Sequence, residues 1–178
     1  MSTRSLIALF HHRWAPPVLA LLDDREGARF VELQRKLDVG RESLRRALDA
    51  LVELGYVRRN PGYGHPLRPE YVITAAGRES AGIARRATNA AARDTLLRKW
   101  SVPVLAELRD GRRFSELRSS LQGVTPRALA LALRDLESAR LIRREVLPTR
   151  PPSTVYRATR RGAALLGGED DLRARTGA

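Results

Sequence analysis

The sequence contains no cysteine, one methionine and few aromatic residues, which make up 5% of the chain. The absence of cysteine excludes disulfides, thiolate zinc sites and cysteine nucleophiles. The longest apolar run without a charge, from Trp14 to Leu22, is too short for a membrane span, which needs about 20 residues. His11, His12 and Arg13 interrupt the N-terminal apolar residues too early for a secretory signal. We therefore expect no membrane association and a cytoplasmic location.

Patterns typical of enzymes are also missing. The sequence has no glycine-rich phosphate loop, no serine elbow and no carboxylate pair at a catalytic spacing. The three histidines, His11, His12 and His65, lack the spacing of metal ligands and have no carboxylate placed beside them. The sequence thus predicts a protein that is not an enzyme and that uses neither a metal nor a cofactor.

Positive charge is abundant. The chain of 178 residues has 33 Lys and Arg against 20 Asp and Glu, which gives a net charge of +13. Residues 1–88 hold 15 basic and 10 acidic residues, and residues 89–178 hold 18 and 10, so the excess is spread over the whole chain. A charge of this size favours a polyanionic partner, either nucleic acid or an anionic membrane. We expect nucleic acid, because of the chain organisation described next.

The sequence repeats itself. Trp100 stands 86 positions after Trp14, and three further blocks recur in the same order at separations of 84 or 85 positions. The matched blocks are "HHRWAPPVLALL" (11–22) with "LRKWSVPVLAEL" (97–108), "ARFVELQRKL" (28–37) with "RRFSELRSSL" (112–121), "LRRALDALVELGYVRR" (44–59) with "LALALRDLESARLIRR" (129–144), and "PEYVITAAG" (69–77) with "TVYRATRRG" (154–162). We infer two copies of one unit, at residues 1–86 and 87–178.

Each unit has the pattern helix, helix, helix, hairpin. Leucines at helical spacing form one apolar stripe on each third helix: Leu44, Leu48 and Leu51 in the first unit, and Leu129, Leu133 and Leu136 in the second. Thr125 before Pro126 is typical of a helix N-cap. Two β-branched segments, separated by proline and glycine, then indicate a hairpin. The predicted fold is mainly α with small β-hairpin wings: two tandem winged helix-turn-helix units. The join between the units, residues 74–100, contains no proline and is rich in Ala and Arg. We expect it to be a helical linker with a brief break near Thr88.

The second unit resembles a known family. Four of its parts are similar to the HxlR family of bacterial winged helix-turn-helix transcription regulators. They are the tryptophan entry, "GRRFSELRSSLQGVTPRAL", the "DLE" before the wing, and "RPPSTVYRAT" in the wing. The first unit, about residues 10–77, looks like a diverged copy. The resemblance implies binding to double-stranded DNA, with the third helix in the major groove. Members are typically dimers of single units, so this chain resembles two fused protomers, either a monomeric pseudo-dimer or a homodimer. Some members sense redox state through an N-terminal cysteine, which this chain lacks.

The two third helices differ on their outward face. In the first unit this face carries Glu42, Ser43, Arg46 and Asp49, with Arg41 and Arg45 flanking it. Ser43, Arg45 and Arg46 can donate hydrogen bonds to bases or phosphates. In the second unit Leu131 stands where Arg46 stands, within the apolar run "ALALAL". Leu131 either contacts thymine methyl groups or is buried against the other unit, a second chain or an apolar ligand. We expect the first unit to be the better DNA reader.

The candidate DNA contacts are polar and basic residues of the third helices and the wings. They are Arg41, Ser43, Arg45, Arg46, Arg58, Arg59, Arg68, Thr125, Arg127, Arg134 and Arg150. Trp14, Trp100 and Leu131 are candidates for contacts with an apolar or aromatic small-molecule effector, although core packing also explains both tryptophans. The leading hypothesis is a cytoplasmic, DNA-binding transcriptional regulator made of tandem winged helices, which can coexist with ligand binding in a ligand-responsive repressor. The alternative is a protein that binds or sequesters a drug on a winged-helix scaffold.

Overall fold

A computed structural model describes residues 1–25, 27–60, 70–148 and 153–167. In the first unit the helices are α1 Thr3–Leu9, α2 Ala15–Arg25, α3 Phe30–Leu37, α4 Arg41–Glu53 and α5 Ala75–Asn89, and the strands are β1 Gly27–Arg29, β2 Val57–Asn60 and β3 Glu70–Ile73. In the second unit the helices are α6 Arg93–Leu96, α7 Ser101–Glu107, α8 Phe114–Ser120, α9 Pro126–Ser138 and α10 Arg160–Leu165, and the strands are β4 Arg112–Arg113, β5 Ile142–Leu147 and β6 Ser153–Ala158. The predicted tandem winged-helix fold is confirmed.

The leucine stripes of the third helices form the centre of each unit. The three predicted leucines of α4 are fully buried, and those of α9 are at most 3% exposed. Burial of one such side chain contributes about 1.5–3 kcal/mol, so each stripe fixes its helix against the rest of the unit. At the start of α9 the Thr125 hydroxyl oxygen accepts a hydrogen bond from the Ala128 amide at 3.2 Å, with Pro126 in the first turn. The predicted N-cap is therefore present.

Both predicted hairpins form, and each gains a third strand. Strand β2 pairs antiparallel with β3, and β5 pairs antiparallel with β6. The short strands β1 and β4 add to the other edges of β3 and β6, which gives sheet orders β1-β3-β2 and β4-β6-β5. Strand β1 lies between α2 and α3 in the chain, and β4 lies between α7 and α8, so each extra strand ties the wing to the helical core.

The last helix of each unit docks closely on the backbone before the wing. A Cβ atom on Gly77 would lie 2.2 Å from the Tyr56 carbonyl oxygen, and one on Gly162 would lie 2.1 Å from that of Leu141. Only glycine permits this approach. Thr74 and Thr159 cap the two helices by accepting from the amides of Gly77 and Gly162. The two copies therefore share this contact.

The join between the units is helical with two breaks. Helix α5 ends at Asn89, close to the predicted break, and Ala90 has extended backbone angles. Four residues of α6 follow, and a second break precedes α7. Helix α5 crosses position 86, so the boundary between residues 86 and 87 stays a prediction. Among the described residues no helix is long and apolar enough to cross a membrane.

The units also touch away from the join. Helix α1 of the first unit packs against α7 of the second, where the Thr3 hydroxyl donates to a Glu107 carboxylate oxygen at 2.5 Å. Arg13 pairs with Asp94 at 2.5 Å. Helix α5 packs against α10, where Arg86 Nε donates to the Leu165 carbonyl oxygen at 2.8 Å. The N-terminal helix of one unit thus lies on the other, as an exchanged element does between two protomers.

Candidate nucleic-acid interface

The outward face of α4 is accessible and carries three arginines beside two exposed acids, Glu42 and Asp49. Arg41, Ser43, Arg45 and Arg46 are all exposed, and the side chains of the last two are about two thirds exposed. Arg46 Nε lies 3.0 Å from Glu42 Oε1, one helical turn away, and Arg45 Nε lies 3.7 Å from Glu42 Oε2. Exposed pairs of this kind contribute at most about 1 kcal/mol, so phosphates can replace Glu42 as the partner. Glu42 therefore orders both guanidinium groups without burying them.

The turn before α4 orients this face. Helix α3 ends at Leu37, its C-cap residue Asp38 has a φ of 47° in the left-handed region, and α4 begins after Gly40. The Arg41 guanidinium lies 5.9 Å from the centre of the Phe30 ring, at the start of α3. This cation–π contact links the first turn of α4 to the preceding helix. Arg41 thus takes part in holding the fold together, whereas the Ser43 hydroxyl has no hydrogen-bond partner among the described residues.

The same face of α9 is only sparsely charged. Arg127 and Arg134 are exposed at its two ends, and Arg134 Nε lies 3.9 Å from Asp135 Oδ1. Between them lie Ala128 and Leu131, in place of Ser43 and Arg46 of the first unit. The Thr125 oxygen already accepts from the helix amide, but its hydroxyl hydrogen remains able to donate. The second unit therefore presents two cations and an apolar centre.

Leu131 is not buried by the first unit. It is 41% exposed, so burial against the other unit, one of the interpretations drawn from the sequence, is wrong for the described part of the chain. Leu131 lies beside a cleft of about 90 Å³, which Trp100, Ala128 and Ala132 also line. All the lining residues belong to the second unit, so the cleft does not lie between the units.

The two tryptophans occupy equivalent places. Trp14 and Trp100 are partly buried and pack against the hydrophobic core, as expected if both serve core packing. Lys99 Nζ lies 5.1 Å from the centre of the Trp100 ring. Trp100 also contributes to the cleft beside Leu131, so the structure brings these two candidates together. An effector contact by Trp14, Trp100 or Leu131 stays a prediction.

The wings place further cations at the surface. Arg58 and Arg59 are exposed on β2, and Arg59 Nη2 donates to the Tyr71 hydroxyl at 3.1 Å. This hydrogen bond raises the pKa of Arg59 and directs its side chain along the sheet. The wing candidates Arg68 and Arg150 lie outside the described residues.

Two cations of the second wing were missed by the sequence prediction. Arg143 and Arg144 are exposed on β5 at the positions that Arg58 and Arg59 hold on β2. Arg143 Nη2 lies 2.9 Å from Glu145 Oε1, while no described residue pairs with Arg144. The aligned blocks "GYVRR" and "RLIRR" carried the signal, because the repeat transfers each position of one wing to the other.

The histidines do not gather with other ligands. Within the described ranges no group of three or more His, Asp or Glu residues is placed to hold a metal ion. The His11 and His12 rings lie edge to face, with centroids 4.9 Å apart. Burial, together with the nearby charges of Lys99 and His12, lowers the pKa of His11. His65 lies outside the described residues.

Curated relatives match less than half of the chain. An uncharacterized HTH-type transcriptional regulator of Methanothermobacter thermautotrophicus is 44% identical over 69 residues, which are 38% of this chain and 53% of that protein. The HTH-type transcriptional regulator YodB of Bacillus subtilis is 32% identical over 69 residues, 38% of this chain and 62% of YodB. The matched part thus spans little more than half the length of these curated relatives.

Solved structures give weaker matches. The reduced form of YodB from B. subtilis aligns with a TM-score of 0.41 at 25% identity, over 57% of this chain and 90% of that one. A transcriptional regulator assigned to the MarR family from Enterococcus faecalis aligns with a TM-score of 0.41 at 32% identity, over 48% of this chain and 78% of that one.

The family model for HxlR-like helix-turn-helix proteins matches the chain twice, over residues 9–90 and 95–172. The two matches together cover most of the 178 residues and coincide with the two structural units. The chain therefore belongs to the HxlR-like helix-turn-helix family, with two copies of the family domain in tandem.

Proposed function

We propose that the protein is a transcriptional regulator that binds double-stranded DNA. The outward face of α4 carries this proposal, because Arg45 and Arg46 are held at the surface of a helix-turn-helix with about two thirds of each side chain exposed. Arginine is the side chain best suited to bidentate contacts with guanine and with phosphates. The relatives named above, which are HTH-type transcriptional regulators, support the same function.

Within this function we assign sequence reading to the first unit. Helix α4 offers arginine and serine donors at the centre of its outward face, whereas α9 offers alanine and leucine there. Leucine can contact a thymine methyl but forms no hydrogen bond with a base edge. The second unit then contributes mainly through Arg127, Arg134 and its wing, which contact phosphates irrespective of sequence.

The small cleft beside Leu131 fits this assignment. Its volume of about 90 Å³ is well below the roughly 300–1,000 Å³ of a site for a drug-sized ligand. A methyl group or one edge of a ring fits into it, whereas a drug-sized molecule does not, so a thymine methyl is a better occupant than a free drug. This argues against the alternative of a drug-sequestering protein at this position.

The proposal predicts binding that depends strongly on salt. Each phosphate contact by Lys or Arg releases condensed cations, and the binding constant then falls with salt by a logarithmic slope of about −0.9 per contact. Fluorescence anisotropy with one labelled duplex, at several potassium chloride concentrations, measures this slope. We expect a slope steeper than about −4, since both helices and both wings carry cations. Binding that is absent, or that does not change with salt, would contradict the function.

A further inference from the structure

A cavity lies between the two units, away from the third helices. Its volume is about 550 Å³, within the roughly 300–1,000 Å³ typical of ligand sites. Helices α1 and α5 of the first unit line it together with α7 and the end of α10 from the second. Neither tryptophan nor Leu131 takes part. A ligand bound here contacts both halves of the molecule.

The cavity combines an apolar surface with an excess of positive charge. Leu6 and Ile83 supply apolar surface, while Arg78, Arg86 and Arg109 supply three guanidinium groups against the single carboxylate of Glu79. A lining of this kind repels cations and gives a purely apolar molecule no partner for the polar groups. It is complementary to an anion attached to an apolar body.

Arg86 is the guanidinium that is best placed for such an anion. Its Nε donates to the Leu165 carbonyl oxygen, which fixes the group, and no described residue accepts from Nη1 or Nη2. Nη1 lies 3.4 Å from the position of a Cβ on Gly82, which is itself part of the lining. Partial desolvation lowers the pKa of Arg86, and no described carboxylate offsets it. Nη1 and Nη2 of this exposed side chain are therefore available to an anion.

The other two arginines are committed elsewhere in part. Arg78 Nη1 lies 3.7 Å from Asp23 Oδ1, and Arg109 Nη2 donates to the Leu166 carbonyl oxygen at 3.5 Å. The Arg78 contact is long, so this side chain adds positive potential around Arg86 more than a directed hydrogen bond. The arrangement suits one carboxylate with its two oxygens on Arg86.

We propose that this cavity binds a small organic carboxylate with an apolar body. The carboxylate pairs with the terminal nitrogens of Arg86, and the apolar body lies against Leu6 and Ile83. Because the occupant contacts both units, it stabilises one arrangement of the two third helices relative to each other. This effector role rests on the proposed DNA-binding function, whereas binding of the carboxylate does not.

The test uses two probes of nearly equal shape and the full-length protein without DNA. 2-Naphthoate carries the charge and 2-naphthamide does not, and binding of both is followed by intrinsic naphthalene fluorescence and by calorimetry. We expect 2-naphthoate to bind at a 1:1 ratio and roughly ten-fold or more tightly than the amide, as a hydrogen-bonded charge pair contributes at least that factor. Equal affinities, or no binding of 2-naphthoate at millimolar concentration, would overturn the proposal.

Two pairs of variants locate the site. Arg86→Gln is expected to reduce 2-naphthoate affinity to that of the amide, while Arg160→Gln, which removes the same charge from an exposed position on α10, retains the parent affinity. Gly82→Leu fills the cavity and is expected to abolish binding of both probes, whereas Gly82→Ala adds one methyl group and retains it. Both replacements at Gly82 favour the helix, so loss of folding does not explain the result. Parent-like binding by Arg86→Gln or Gly82→Leu would contradict the assignment.

Because the binding assay contains no DNA, its failure and the failure of the proposed function are distinguishable. A protein that binds DNA but not 2-naphthoate keeps the function and loses this site. A protein that binds 2-naphthoate at Arg86 but no DNA keeps the site and loses the function.

Discussion

Arg46 and Leu131 hold the same position in the two third helices and create the main chemical difference between them. Arg46 is paired with Glu42 one turn earlier, whereas the residue one turn before Leu131 is Arg127. The second unit therefore lacks this pair: a base stands where the first unit has an acid, and a leucine stands where the first unit has a base. Arg127 could not pair with an arginine at position 131 in the way that Glu42 pairs with Arg46.

We expect Leu131→Arg to be tolerated and to tighten DNA binding. Leu131 is 41% exposed, so the replacement forfeits only part of the roughly 1.5–3 kcal/mol of a buried leucine, and repulsion from Arg127 adds a few tenths. The free energy of unfolding should fall by about 1 kcal/mol, and the salt slope of DNA binding should steepen by roughly one unit. Urea denaturation and anisotropy measure the two quantities.

The matched control is Leu133→Arg, which places the same charge at a position only 3% exposed and is expected to unfold the second unit. If Leu131→Arg instead destabilises the protein to a similar extent, or dissociates an oligomer, Leu131 is covered in solution by a second copy. The assignment of a DNA-facing α9 would then be withdrawn.

At the scale of the elements, the sequence predicted those that carry their own pattern. Leucine spacing located α4 and α9, the Thr125–Pro126 pair located the start of α9, and proline and glycine separated the wing strands. Strands β1 and β4 have three and two residues, too few for any alternation, and they exist through pairing with β3 and β6. Seven-residue α1 likewise depends on its contact with α7. Such elements are products of tertiary structure.

The residues that follow the two third helices differ in type but share a left-handed backbone conformation. Gly55 follows α4 with φ 71°, and Arg140 follows α9 at the equivalent place with φ 57°. The left-handed conformation costs a residue with a Cβ roughly 1–2 kcal/mol, of which the flexibility of glycine in the unfolded chain offsets about half. Arg140→Gly is expected to raise the free energy of unfolding by about 0.5–1 kcal/mol. Gly55→Ala should lower it by about 1 kcal/mol.

Urea denaturation followed by circular dichroism measures both variants. The prediction for Arg140 holds only if its side chain contributes little, and Arg140 is exposed in the structure. A loss of stability in Arg140→Gly would mean that the arginine side chain makes a contact worth more than the strain.

At the scale of the whole molecule, one chain contains what resembles a dimer. Helix α1 lies on α7, α5 contacts α10, and the Thr3–Glu107 and Arg86–Leu165 hydrogen bonds join the units. The repeat predicted two units, but their mode of docking depends on surfaces that have no periodic signature. For the same reason the cavity at Arg86 could not be predicted, since its lining comes from four helices spread along the sequence.

Fusion of two units into one chain removes the need for identical halves. In a symmetric homodimer a change such as leucine for arginine would appear in both third helices, whereas here it is confined to α9. The first unit can then read a sequence while the second contributes affinity that does not depend on sequence. This division of labour is the central claim.

Two double variants test that claim, because each removes two positive charges from one third helix. The parent protein first enriches a preferred duplex from a random library, and affinity is then measured on that duplex and on an unrelated one. We expect Arg45→Ala with Arg46→Ala to weaken binding to the preferred duplex by about 1–3 kcal/mol per lost base contact and to reduce the preference for it. Arg127→Ala with Arg134→Ala should weaken binding to both duplexes alike and keep the preference. Equal losses of preference in the two double variants, or a larger loss in the second, would contradict the assignment of sequence reading to the first unit.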